Sequence, residues 1–198
     1  MTADPAAIGA SPPVDELDAK ILDAALAEFE HHGLRRVGVD DVARRAGVSR
    51  STVYRRYAGK NQLAEAVVLR ECRRFLLVLG EAVTGLSLED AVVEAFVVGL
   101  RTVRELPLFG RVLVGEPGAL LEQLTDSGAA IMLAARDVVV DSLARAEPQR
   151  DRDDLAVVSE TMLRVGISLL LIPGGGLDVD GDAQARVYAR DYLVRLLR

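Results

Sequence analysis

From residue 15 onward the apolar positions recur at three- and four-residue steps, and no segment sustains a two-residue alternation. That spacing predicts an all-α protein of about nine helices. The first runs from about residue 15, with Leu17, Ile21, Leu22, Ala25 and Phe29 on one stripe, acids near its positive end, and Gly33 as its stop. Two very short helices follow, at 40–46 and 49–57, with Gly47 at the turn between them. Longer helices are expected at 63–83, at 88–105 before Pro107, at 129–146, at 155–172 before Pro173, and at 183–197. The stretch 108–124 is interrupted by Gly110, Gly115, Pro117 and Gly118, which predicts two short helical pieces with a kink. No repeat period is present. Residues 1–14 carry Pro5, Pro12, Pro13 and many small residues, too little to order themselves, and read as a flexible arm.

Composition narrows the function classes. The chain has 198 residues, half of them hydrophobic, which supports a substantial core. It has no run of eighteen apolar residues, and its start lacks a basic segment followed by an apolar block, so a cytoplasmic protein is expected. The single cysteine, Cys72, leaves no internal disulfide and no multi-cysteine metal site. Charge is uneven: the net charge is -6, yet residues 35–60 hold eight basic side chains against Asp40 and Asp41. Those residues therefore carry +6 and the remainder −12. A compact cationic segment on an anionic body predicts a local contact with a polyanion. All but two of the 24 basic residues are arginine, a bias that reads as genomic composition and discounts the arginine count somewhat.

The shape of that segment gives the charge a target. Ala43 is small where two helices would cross, Gly47 is permissive in φ, and Val48 and Val53 are apolar where the angle must be locked. Ser49 can cap the second helix. These are the requirements of a helix-turn-helix. Arg50, Ser51, Thr52, Arg55 and Arg56 lie around the part of the second helix that Val53 and Tyr57 do not bury, with Arg44 and Ser49 flanking them. A helix of this width fits the major groove, where arginine can make a bidentate contact with guanine O6 and N7.

Val42, Ala43, Ala46, Gly47, Val48, Ser49, Thr52, Val53, Tyr54, Tyr57, Lys60 and Leu63 stand in one register that resembles the DNA-binding domain of the tetracycline-repressor (TetR) family of bacterial transcription regulators. The motif covers about residues 17–65. The resemblance implies a homodimeric repressor with three N-terminal helices for operator binding. It also implies a larger C-terminal domain that takes a small inducer and pairs through its last two long helices. By that likeness Thr52, Tyr54 and Lys60 touch phosphates, while Arg50, Ser51 and Arg55 face bases. Three positions depart from the family's pattern: Gly38 where threonine is common, Ser51 where glycine is usual, and Arg56 where histidine is common. Arg56 is expected to offer a phosphate or base contact. Tyr57, where phenylalanine is usual, reads as a packed ring with a wet hydroxyl.

The expected organisation is an arm at 1–14, a DNA-binding domain at 15–62, and a ligand-binding and dimerisation domain at 63–198. The helix at 155–172 is apolar around nearly its whole circumference after Met162, so a second protomer is expected to cover part of it. Val165, Leu169, Ile172, Tyr188, Tyr192 and Leu196 are the candidate seam, with Leu193 beside them. Phe75, Leu79, Phe96, Leu100, Phe109, Met132 and Met162 are candidates to line a chamber for a mainly aliphatic inducer, although ordinary core packing explains each singly. Arg136, Glu116 and Arg164 are candidate polar contacts there, Arg164 also being placed to pair with Glu160.

Enzymatic readings find little. His31 and His32 are adjacent at a helix end with no partner at ligand spacing. The glycines at 174–176 lack the lysine and hydroxyl of a phosphate loop. Cys72 has no spaced histidine to activate it. The reading is a non-enzymatic regulator without cofactor, whose partners are double-stranded operator DNA, a second copy of the chain and a small molecule, with no membrane. Its alternatives are an activator or inducer-independent DNA binder, and a helical small-molecule-binding protein whose basic hairpin is incidental.

Overall fold

The computed structural model describes residues 15–107, 128–172 and 174–198. The readings made for 1–14 and 108–127, including Phe109 and Glu116, and for Pro173, lie outside the described residues. Those residues form eight α-helices and no strand, in two compact units, residues 15–74 and residues 75–105 with 128–198.

The first unit begins with α1 (Glu16–His32). The Asp15 carboxylate accepts from the Asp18 amide at 2.8 Å, closing the first turn, and Gly33 ends the helix at φ 80°. α2 (Val39–Ala46) has Gly38 at its N-cap. Glycine brings no hydroxyl, but Asp41 reaches back and accepts from the Gly38 N–H at 3.0 Å, one half of a capping box. Gly47 then adopts the left-handed conformation, φ 64° and ψ 36°, and the Val48 amide donates to the Ala43 carbonyl at 3.0 Å. The chain is thereby turned directly into α3 (Arg50–Arg56). Phe29, Ile21, Val42, Ala43, Val53, Leu63 and Val67 form the core of this unit, with Val48 and Tyr57 packed at its edge. Leu63 and Val67 belong to α4 (Lys60–Ala82), which starts three residues earlier than the periodicity predicts because the turn ahead of it is short.

In the second unit the central helix is α5 (Leu88–Glu105). Leu88, Ala91, Val92, Val93, Ala95, Phe96, Val97, Val98 and Leu100 are all buried, covering nearly every face. Around it lie α6 (Gly128–Ala146), α7 (Arg152–Leu171) and α8 (Asp182–Tyr188). α7 begins three residues before the predicted start. Asp151 caps it by accepting from the Asp153 amide at 2.9 Å, and the acids that read as linker sit favourably in its first turn. The last predicted helix is regular only to Tyr188. Ala189–Leu193 widens to a π turn and Val194–Leu197 tightens to a 3₁₀ turn. α8 is held to α5 by Arg186 with Glu94 at 2.5 Å and by Arg101 with Asp182 at 2.8 Å, while Arg190 of the π turn meets Asp90 at 2.9 Å.

Candidate nucleic-acid interface

α3 turns about 100° per residue, so Arg50, Tyr54, Ser51 and Arg55 fall on one contiguous arc. All four are exposed, whereas Val53 is fully buried and Thr52, Arg56 and Tyr57 are half-buried. The outward surface of the helix is therefore a polar strip with two guanidinium groups. Its start is fixed by hydroxyls. Ser49 accepts from the Thr52 amide at 3.1 Å, and its hydroxyl lies 2.8 Å from those of both Ser51 and Thr52.

The cationic segment is more heavily paired than its sequence suggests. Arg44 meets Asp41 at 2.5 Å, Arg45 meets Glu28 of α1 at 2.9 Å, and the Nε of Arg50 pairs with the Asp40 carboxylate. Arg56, expected on the DNA side, instead turns toward α1, 2.6 Å from Asp15 and 2.7 Å from Asp18. Two aspartates at the start of α1 form a pocket of negative charge that out-competes solvent for this guanidinium. Its ordinary function is thus to fasten the end of α3 to the start of α1. Arg36 and Arg55 are exposed, and each lacks a carboxylate partner among the described residues. Lys60, at the first turn of α4, donates to the Arg35 carbonyl at 2.7 Å and so ties that helix start to the loop after α1.

Other groups act inside the unit. The Tyr57 hydroxyl donates to Asp18 at 3.4 Å, and burial with the Asp18 charge beside it pushes its pKa up to about 12. Glu28, on the buried face of α1, is the acid that receives Arg45. Asp23 of α1 takes Arg70 of α4 at 2.8 Å, and the buried Glu71 accepts from Arg70 and Arg74, each at 3.1 Å. Helical spacing found none of the partners that join different elements, Tyr57 with Asp18, Glu28 with Arg45 and Asp23 with Arg70, since each joins positions far apart in sequence. The one available signal was an acid, Glu28, on an otherwise apolar stripe. His31 caps its own helix end by meeting the Ala27 carbonyl at 2.8 Å. Burial, and secondarily Glu71, pushes the Cys72 thiol up to about 11, away from a reactive thiolate.

In the second unit, Leu79, Phe96, Leu100 and Met162 are buried together with Phe75 packed against them, and Met132 is half-buried. Arg136 pairs with Asp137 at 2.8 Å and lies 3.9 Å from Glu160, while Arg164 pairs with Glu160 at 2.7 Å. Both cations are thus engaged on the helix surface rather than aimed into a chamber. Two hollows, of about 280 and 530 Å³, lie beside Val83–Leu86 and beside Pro148 respectively, and neither is lined by the residues expected to hold a ligand. Of the candidate seam, Ile172, Tyr192 and Leu196 are exposed, at 73, 58 and 45%, whereas Val165, Leu169 and Tyr188 pack partly on the core. Val157 and Val187 are also exposed and were not anticipated.

Comparison with known proteins agrees with this architecture. Residues 21–67 match the family model described as bacterial regulatory proteins, tetR family, and residues 87–190 match the bacterial tetracyclin repressor C-terminal domain. Together the two models span most of the chain, which belongs to the TetR family of DNA-binding transcriptional regulators. A Mycobacterium tuberculosis protein, a proposed mycofactocin biosynthesis transcriptional regulator called MftR, is 49% identical over 43 residues. That match covers 22% of this chain and 22% of the relative. Among solved structures, the TetR family repressor AlkX from Dietzia sp., implicated in n-alkane biodegradation, has a TM-score of 0.69 at 23% identity, covering 95% of this chain and all of that one. A TetR-family regulator from Streptomyces coelicolor has a TM-score of 0.66 at 23% identity, covering 91% of this chain and 99% of that one. At these identities the likeness shows the fold. Proteins of this family are regulators rather than enzymes, bind operator DNA and form dimers. No helix among the described residues is long and apolar enough to cross a membrane.

Proposed function

We propose that this chain is a homodimeric repressor: two copies set their α3 helices into major grooves about 34–36 Å apart on a palindromic operator, and a small molecule taken up by the C-terminal region releases them. The observation that carries it is the exposed arc of Arg50, Ser51, Tyr54 and Arg55 on a helix whose opposite side, Val53, is locked into the core. In this reading residues 15–62 bind DNA, with Arg50, Ser51 and Arg55 toward bases and Thr52, Tyr54 and Lys60 toward phosphates. Residues 63–198 bind the ligand and the second copy. The aliphatic and aromatic character of Leu79, Phe96, Leu100 and Met162 favours a mainly aliphatic inducer. Ser159, wholly buried with no partner for its hydroxyl among the described residues, offers one polar contact on the same helix as Met162. Release follows if the inducer binds better to a body conformation in which the α3 helices no longer fit the two half-sites, with α4, which runs from one unit into the other, as the connection.

The test is direct. Duplexes selected from a random pool by the full-length protein define a preferred site, and gel shifts over a salt series then compare variants. Arg50→Ala or Arg55→Ala costs about 1–3 kcal/mol and relaxes preference at one position, whereas Lys60→Ala weakens all duplexes alike and lowers the salt slope by about 1. Unchanged affinity for the selected site after both arginines are removed overturns the assignment. A promoter reporter carrying that site separates repression from activation by the sign of the response.

A further inference from the structure

A surface meant for a polyanion has a carboxylate on it. Asp40 is exposed in the first turn of α2, and its carboxylate forms an ion pair with the Nε edge of Arg50 in the first turn of α3. An acid placed against DNA repels phosphates, so its presence at the edge of the recognition helix calls for a compensating role. The chemistry of the guanidinium supplies one. Arginine has five N–H donors in a planar fork. With Nε held by Asp40, the four donors on the two Nη groups remain at the far end, spaced for the O6 and N7 acceptors of guanine.

We propose that Asp40 is a positioning residue for base recognition: it grips the Arg50 guanidinium by its Nε edge and presents the Nη pair to the major groove as a fixed fork. The inference rests on the reading of Arg50 as a base contact given above. Its physical basis is preorganisation. An exposed arginine has several freely rotating bonds, and ordering them on DNA subtracts from the gain of the contact unless a neighbour has already done so. The other acids nearby are committed elsewhere: Asp41 to Arg44, Glu28 to Arg45, and Asp15 and Asp18 to Arg56. Arg55, by contrast, has no carboxylate partner among the described residues. The two outward arginines of α3 are therefore unequal, and the base pair read by Arg50 is the more sharply specified of the two.

The experiment uses the full-length protein and the duplex it selects from a random pool, together with every single-base-pair variant of that duplex and one unrelated duplex. Arg50→Ala erases discrimination at one base pair. Asp40→Asn and Asp40→Ala lower discrimination at that same base pair by about 3- to 10-fold, while binding to the unrelated duplex tightens because a negative charge has gone. In the Arg50→Ala background, Asp40→Ala has no further effect on that preference. If the Asp40 variants strengthen binding to all duplexes equally and leave discrimination untouched, Asp40 merely repels DNA and the proposal is overturned. If Arg50→Ala itself leaves every preference intact, the base-contact assignment falls and the buttress falls with it, a result distinguishable from the first.

Discussion

Asp15 accepts from the Asp18 amide and also meets the Arg56 guanidinium, so one carboxylate both starts α1 and anchors the end of α3. The amide first, and the guanidinium second, hold its pKa below the ordinary aspartate value of 3.8. A carboxyl depressed in the folded state contributes stability that is fully present above the ordinary value. It loses that contribution as pH falls through the lower, folded value. Thermal melts across an acid series therefore show a drop below about pH 4, and in Asp15→Asn the neutral midpoint is lower while the acid drop is shallower. An acid limb identical to that of the wild type would remove Asp15 from the set of responsible groups. The roles of Ser49 and Val53 are readable from neighbours in sequence. That of Arg56 is not, because the aspartates that claim it sit about forty positions away.

At the level of elements, the turn between α2 and α3 is the joint that aims the recognition helix. Gly47 has φ 64°, and the nearest atom to a Cβ placed there is the Lys20 Nζ at 3.9 Å, so there is room for a methyl group but a conformational penalty for it. Gly47→Ala is expected to destabilise by about 1–2 kcal/mol in urea unfolding, and Gly47→Asn by less, since asparagine tolerates the left-handed region. An alanine variant as stable as the wild type would mean the turn can be made another way. The helix-turn-helix was legible because its constraints are packed into consecutive residues. Boundaries elsewhere were set by caps, as when Asp151 draws α7 three residues into a segment whose polarity suggested a linker. Along the π turn at Ala189–Leu193 and the 3₁₀ turn after it, Leu193 and Val194 are buried while Tyr192 and Leu196 stay exposed.

For the whole molecule, the homodimer proposed above raises the question of which apolar surface a second copy covers. Ile172, Tyr192 and Leu196 are large and exposed, and Val157 and Val187 add to the apolar surface of α7 and α8. Placing a charge where such side chains are buried on association costs more than the pair gains elsewhere. Tyr192→Asp combined with Leu196→Asp is therefore expected to shift sedimentation from dimer to monomer and to weaken operator binding at least tenfold, with helical content unchanged. A variant that remains dimeric places the seam on other residues.

The sequence by itself determined the class: a 3.6-residue period throughout, a cationic stretch in an acidic chain, and small, permissive and apolar residues at the spacing that two crossing helices require. These are local rules, enforced within a few turns, and composition cannot disguise them. The tertiary structure alone decided which charges are spoken for and which helix is central. Arg56 belongs to Asp15 and Asp18, Arg45 to Glu28, and α5 rather than α7 is surrounded on nearly every side. Ion pairing and burial depend on what the fold brings close, and separation along the chain carries almost no information about that.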